Sequence, residues 1–374
     1  MKARIKFLVL SLTMVFLLGV GNAWAEIRIG LMCPLTGSWA SEGQDMRDIV
    51  QLMADEVNAA GGINGQQVTV LVEDDGGDPR TAVSAANRLA TRDVTAVIGT
   101  YGSSITEAAQ GIYDDFGIIQ IANGATSIRL TQKGLKYFFR TSPRDDEQGR
   151  VAAETIASLG FSKVAILHDS TSYARGLADE TRGLLEQDNK EIAFFGALTP
   201  GERDYSTILS RLRNANPDVV FFTGYYPEAG LLLRQKSEMN WDVPFLGGDA
   251  TNNPDLVSIA GRSAAEGFYF LSPPVPQDLD TPQASDFLTS FNERHGSNPG
   301  SIWAVLAGDA FLVITEAIKA TGSLDKDVLA GYMHGDLKIE GLTGEIAFDE
   351  HGDRAGELYR IYQIDGEGNF VMLD

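Results

Sequence analysis

Residues 98–109, IGTYGSSITEAA, place a polar, glycine-containing turn and two serines between an apolar run and a helical stretch. Three chemistries use such a turn: a phosphate cradle, the exposed nucleophile of a hydrolase, or a seat for another anion. A Walker loop needs Lys followed by Ser or Thr at the helix start, and no such pair has that spacing here. The dinucleotide fingerprint fails because GTYGSS lacks its last glycine, and Gly-x-Ser-x-Gly is absent. Ser104-x-x-Glu107 reads as a capping box that starts the helix. A helix N-terminus offers unpaired N–H groups and a favourable dipole, which suits an anion. The plainer reading, a capped helix that binds nothing, stands beside it.

Other groupings carry less chemistry. His168-Asp169-Ser170 has the residue types of a triad, but neighbours at one strand end point in different directions and cannot form a relay. The four histidines, His168, His295, His334 and His351, are scattered, which argues against zinc. DDGGD (74–78) and DGEGN (365–369) lack the glycine and terminal Glu of a calcium loop, so turns are the better account. No cofactor is expected, and no catalytic or metal-ligating set emerges.

The elements that must position the turn follow a clear rhythm. IRIGLM is followed by a helical stretch from about Ser41 to Ala60, stopped by Gly61-Gly62. QVTVLVED, a helix from about Pro79 to Thr91, VTAVIG, a helix from about Ser104 to Asp114, and GIIQIA come next. After Arg140 the pattern resumes with KVAILHD, EIAFFGAL, DVVFFTG and VPFLGG. Alternating β and α elements imply parallel strands covered by helices on both faces, and here two doubly wound lobes. From about Glu345 the residues read instead as strands joined by tight turns. The opening stretch is then the turn after the third strand of the first lobe, where open α/β sheets bind ligands.

The chain ends and the charge narrow the setting. Lys2, Arg4 and Lys6, the apolar stretch Phe7 to Val20 and Ala23-Trp24-Ala25 have the order of a secretory signal over residues 1–25. That stretch is about fourteen residues, against ~20 for a spanning helix. A lipoprotein signal would need a cysteine directly after cleavage, whereas the single one, Cys33, lies eight residues past Ala25. Removing the three leading cations takes the net charge from -21 to -24. So acidic a chain without a Lys/Arg cluster is not built for nucleic acid. One cysteine cannot make an internal disulfide, and the length favours two domains.

Several long stretches, in order, resemble the periplasmic leucine/isoleucine/valine-binding proteins, the type I solute receptors of ABC importers. They are IRIGLMCPLTGSWASEGQDMRDIVQLMADEVNAAGGINGQQV, VEDDGGDPRTAVSAANRLA, VIGTYGSSIT, HDSTSYARGLADE, FFTGYYPEAG and FDEHGDR. The resemblance implies a type I periplasmic binding protein fold, α/β, with two doubly wound parallel-sheet lobes joined by a three-strand hinge. It divides the chain into lobe 1 (26–145 and 274–348) and lobe 2 (146–273 and 349–374). It also implies a ligand in the cleft, no enzymatic activity, a membrane ABC permease as partner, a monomer and a periplasmic location.

By the same resemblance, Ser103 and the N–H groups of its helix start hold an amino acid's α-carboxylate, with Gly102 in the turn before them. In the NGATS turn, a carbonyl at Gly124 and the Thr126 hydroxyl take the ammonium, and the Thr126 N–H helps the carboxylate. Tyr173 and Tyr225 close over the ligand from the second lobe, and Asp249 pairs with the ammonium. Trp39 either walls the side-chain pocket or packs. Relatives usually carry Glu where this chain has Asp249, and an aromatic where it has Glu42. Tyr101 replaces a smaller aliphatic residue, and Gly76 and Gly102 replace a disulfide pair found in some relatives. The side-chain specificity is therefore open. Within binding proteins the alternative is a receptor for another carboxylate or amide; outside transport, it is an extracytoplasmic sensor.

Overall fold

The computed structural model describes residues 26–373; the expected signal segment lies outside the described residues. The first lobe begins with β1 (Ile27–Cys33), α1 (Ala40–Ala59), β2 (Val68–Asp74), α2 (Pro79–Ala90), β3 (Ala96–Ile98), α3 (Ser103–Asp115), β4 (Ile119–Ala122) and β5 (Phe138–Arg140). Its sheet is parallel throughout in the order β2-β1-β3-β4-β5. The order reverses between β1 and β3, so the crevice outside their carboxyl ends receives both the Trp39 loop and the Ser103 turn. Strands β3, β4 and β5 are buried along their whole length, as parallel strands covered on both faces must be.

The second lobe contains α4 (Asp145–Ser158), β6 (Lys163–His168), α5 (Ser172–Gln187), β7 (Glu191–Ala197), α6 (Ser206–Ala215), β8 (Val219–Thr223), α7 (Tyr226–Glu238), β9 (Phe245–Gly247), the short helices α8 (Asp255–Ala260) and α9 (Arg262–Ala265), and β10 (Tyr269–Ser272). The chain then returns to the first lobe as α10 (Pro282–His295), α11 (Ile302–Thr321), α12 (Lys326–Gly335) and the hairpin β11 (Ile339–Gly341) with β12 (Gly344–Ile346). It finishes on the second sheet with β13 (Arg360–Ile364) and β14 (Phe370–Met372).

That second sheet runs β14-β13-β10-β9-β8-β6-β7, with β13 and β14 antiparallel. The sheet is thus mixed at one edge, consistent with the change of pattern near the chain end. Its own switch point lies between β6 and β8, which aims the loops before Tyr173 and Tyr225 into the same cleft.

The returning helices are anchored by close packing. Helix α11 is apolar almost all round and buried against α1. Its Gly308 permits the approach: a Cβ there would lie 2.9 Å from Leu342 and 3.0 Å from the Met53 sulfur. The chain passes between the two sheets three times, at 140–145, 272–282 and 346–360. Among the described residues no helix is long and apolar enough to cross a membrane.

Candidate functional site

The Ser103 turn is held from beneath. Thr100 Oγ1 and Thr106 Oγ1 lie 2.7 Å apart, and both approach the Gly102 carbonyl at 3.2 Å. Gly102 is the N-cap and offers no side chain, so the first N–H groups of α3 face outward without an intrahelical acceptor. Ser103 Oγ accepts the Ser127 N–H at 3.2 Å, which leaves its own proton to donate.

The expected capping box does not form. Ser104 Oγ instead accepts the Ser172 N–H of the other lobe at 3.0 Å, and Glu107 Oε2 accepts the Ser172 hydroxyl at 3.0 Å. The two residues bridge lobes because the N-cap is Gly102, two residues before Ser104, which places Ser104 within the first turn of the helix, bonded to α5. Two helix N-termini consequently converge on one cleft.

The turn after β4 supplies the neighbouring wall. Arg140 is fully buried and donates to the Ala125 and Ser127 carbonyls at 3.2 and 2.8 Å while pairing with Asp353. Gly124 packs under Tyr101, where a Cβ would meet the ring at 2.7 Å and the Tyr101 carbonyl at 2.8 Å. The Thr126 hydroxyl is buried without a hydrogen bond, and its carbonyl accepts the Asp145 N–H at 3.0 Å.

Opposite lies a box of acids and phenols. Asp249 Oδ2 accepts the Tyr359 hydroxyl at 2.6 Å, and its N–H donates to Gln148 Oε1 at 2.9 Å. Gln148 Nε2 reaches Tyr359 at 3.0 Å and Asp145 Oδ1 at 3.2 Å; the Tyr173 hydroxyl is 3.5 Å from Gln148 Oε1 and accepts the Ala250 N–H at 3.4 Å. Burial pushes the Asp249 carboxyl up to about 7. It raises Asp145 as well, and the nearby Asp249 charge adds to the rise. Asp145 Oδ2 has no partner, and neither carboxyl lies within ion-pair distance of a basic side chain among the described residues. Two buried acids a short way apart favour an incoming cation.

Aromatic rings cover the mouth. Tyr225 lies against Trp39 from the other lobe at 4.1 Å between centroids, with Tyr173 at 5.5 Å and Tyr101 at 5.7 Å. Tyr226 donates to the Ser38 carbonyl at 2.9 Å, and Asn253 Nδ2 donates to Glu42 Oε1 at 2.7 Å. Glu42 is also bonded to Ser301, and burial lifts its carboxyl to about 8.

Ser103, Gly102, Gly124, Thr126, Tyr173, Tyr225, Asp249 and Trp39 are thus brought together around one interlobe space. Sequence reasoning missed Asp145, Gln148 and Tyr359. Asp145 is the first of three acids at the start of α4, a run that reads as helix-dipole complement. Nothing in DDE marks which of the three faces inward. The His168-Asp169-Ser170 run makes no relay: His168 Nδ1 accepts the Ser170 N–H, and Asp169 caps Thr171. DDGGD is a turn whose Asp78 caps α2, and no metal-ligating cluster occurs among the described residues.

Comparison with known proteins gives a consistent picture. The family described as periplasmic binding protein matches residues 26–369. The Leu/Ile/Val-binding protein homolog 1 of Brucella abortus (strain 2308) is 34% identical over 357 residues, covering 94% of this chain and 95% of the relative. The leucine-, isoleucine-, valine-, threonine-, and alanine-binding protein of Pseudomonas aeruginosa is 35% identical over 340 residues, with 90% and 89% covered. Among solved structures, the branched-chain amino acid transporter substrate binding protein of Streptococcus pneumoniae in complex with isoleucine superposes with a TM-score of 0.84 at 28% identity, covering 93% of this chain and all of that one.

Proposed function

The chain belongs to the periplasmic binding protein family, among its leucine/isoleucine/valine-binding members, and from that premise we propose that it captures an amino acid between its lobes and delivers it to an ABC permease. One observation carries the reading. A seat of N–H groups and hydroxyls, at Ser103 and Thr126, lies by two buried carboxyls, Asp145 and Asp249, neither of which is ion-paired among the described residues. An α-amino acid presents those two complementary charges on one carbon. Helix α3 takes the carboxylate, and Asp249 with Asp145 takes the ammonium.

Tyr173, Tyr225 and Trp39 close over the remainder. The lobes divide at 145/146, 273/274 and 348/349, and the ligand acts as the bridge that favours the closed arrangement. The protein acts as a monomer in the periplasm, as the product of cleavage after Ala25, and catalyses nothing. Titration calorimetry of the mature protein with individual amino acids and with their des-amino analogues tests the reading. Tight binding of an amino acid and at least thirtyfold weaker binding of its des-amino analogue is the expected result; equal affinities would instead favour a receptor for plain carboxylates.

A further inference from the structure

Tyr101 stands inside the cleft. Its ring meets Trp39 edge-on at 5.5 Å and Tyr225 at 5.7 Å, and it presses on Gly124. The side chain is 2% exposed, yet its hydroxyl has no hydrogen-bond partner among the described residues. Burial pushes its phenol well up, and Glu42, Tyr225, Tyr226 and Asp249, drawn from both lobes, lie near enough to add to the rise. Glu42, the acid that acts on it most, bonds Asn253 and Ser301 instead. Two residues beyond Ser301, Trp303 Nε1 is likewise buried without a partner, while the Trp303 carbonyl accepts from Asn123, next to Gly124.

A purely aliphatic ligand side chain packed here would leave the Tyr101 hydroxyl desolvated and unbonded, a cost set against every such ligand. A carboxylate side chain would meet the Asp145 and Asp249 carboxyls, neither of which has an ion pair among the described residues. A cationic one would find Asp145 and Asp249 already committed to the α-ammonium, and burial keeps Glu42 largely protonated and neutral.

We propose that the ligand is an amino acid whose neutral side chain ends in a hydroxyl or carboxamide, and that the Tyr101 hydroxyl bonds that group and sets the preference over branched aliphatic chains. The proposal rests on the amino-acid reading above. Near-isosteric pairs test it separately: asparagine against leucine, and threonine against valine, titrated into wild type and Tyr101→Phe by calorimetry.

The expected result is that the polar member of at least one pair binds wild type about tenfold to a hundredfold more tightly. In Tyr101→Phe that ratio should fall to near one, with the aliphatic member binding more tightly than it does to wild type. Leucine and valine matching or exceeding their polar isosteres in wild type would overturn the proposal and leave the receptor reading intact. A preference for aspartate or lysine over all four would overturn it too. Failure of every amino acid to bind would remove both readings together. The wild-type ratios decide the matter even if the variant does not fold.

Discussion

The two walls of the cleft present charge in opposite ways. On the α3 side the groups are main-chain N–H donors and neutral hydroxyls, held by Thr100, Thr106 and Arg140. On the α4 side they are carboxyls and phenols tied through Gln148. The donors of the first wall do not titrate in the physiological range and are fixed by the fold. The second holds acids whose ionisation burial disfavours, a cost that the proposed ammonium would offset. An anion seat can be fixed in advance; a cation seat built from buried acids is completed by its ligand.

Substitutions at Asp249 should separate the walls most strongly. Asp249→Asn keeps shape but removes the charge, and should weaken amino-acid binding by ~2–5 kcal/mol, roughly thirtyfold to several-thousandfold. The loss should vanish for the des-amino analogue in the same calorimetric series. Unchanged affinity for the amino acid would break the assignment of the ammonium to this wall.

A second effect is expected from the acids in the absence of ligand. Glu42 and Asp249 rise from ordinary values of 4.5 and 3.8 to about 8 and about 7, and Asp75 and Asp169 rise in the same direction. Groups raised on folding contribute stability that is complete below their unfolded values and is lost as pH climbs through the folded ones. Carboxyls whose values are lowered, such as Asp74, are ionised in both states above pH ~5 and add no slope there. The melting temperature of the ligand-free protein should therefore fall between pH 5 and pH 8. Glu42→Gln should flatten the curve, each such acid contributing up to ~1.4 kcal/mol per pH unit. A melting temperature that rises over this window contradicts the buried, protonated acids.

On the other wall, Ser103→Ala should cost about 1 kcal/mol, roughly fivefold in affinity. The factor should be similar for the amino acid and its des-amino analogue, since both present the carboxylate. A loss confined to the amino acid would move Ser103 to the ammonium.

Ser104→Ala gives the smallest expected change and the cleanest reading of the interlobe contact. If Ser104 capped α3, its loss would lower ligand-free stability by about 1 kcal/mol. Because it bridges to Ser172, the ligand-free melting temperature should hold in chemical denaturation and scanning calorimetry. Ligand affinity should drop by less than about 1 kcal/mol.

Much of this was legible in the residues. Alternating apolar runs and amphipathic stretches were enough for two parallel sheets, and switch-point logic put the Ser103 turn at a binding crevice before any partner was known. The mixed edge of the second sheet showed only as a change of pattern, because short antiparallel strands such as Phe370–Met372 carry little periodicity. The α4 wall was harder. Asp249 was reached by resemblance; Asp145 and Gln148 are neighbours on α4, but Gln148 meets Tyr359, 211 positions on, through a tertiary hydrogen bond that no local spacing encodes. Ser104 and Glu107 fitted a capping box in spacing, yet their side chains found Ser172 instead. A local motif competes with partners that the sequence does not bring near.

Arg140 sits in the first crossing between the sheets and grips Asp353 in the third, while its Nη1 holds the carbonyls of the turn that carries Thr126 and its Nη2 donates to the Thr131 hydroxyl. Arg144 holds the same Asp353 from the far end of that crossing. The pivot and one jaw of the cleft are therefore a single bonded piece, like a hinge pin that also carries the latch. On the proposed clamshell reading, parting the lobes would pull on the guanidinium that holds the Thr126 turn, so opening and loss of ligand would be one movement.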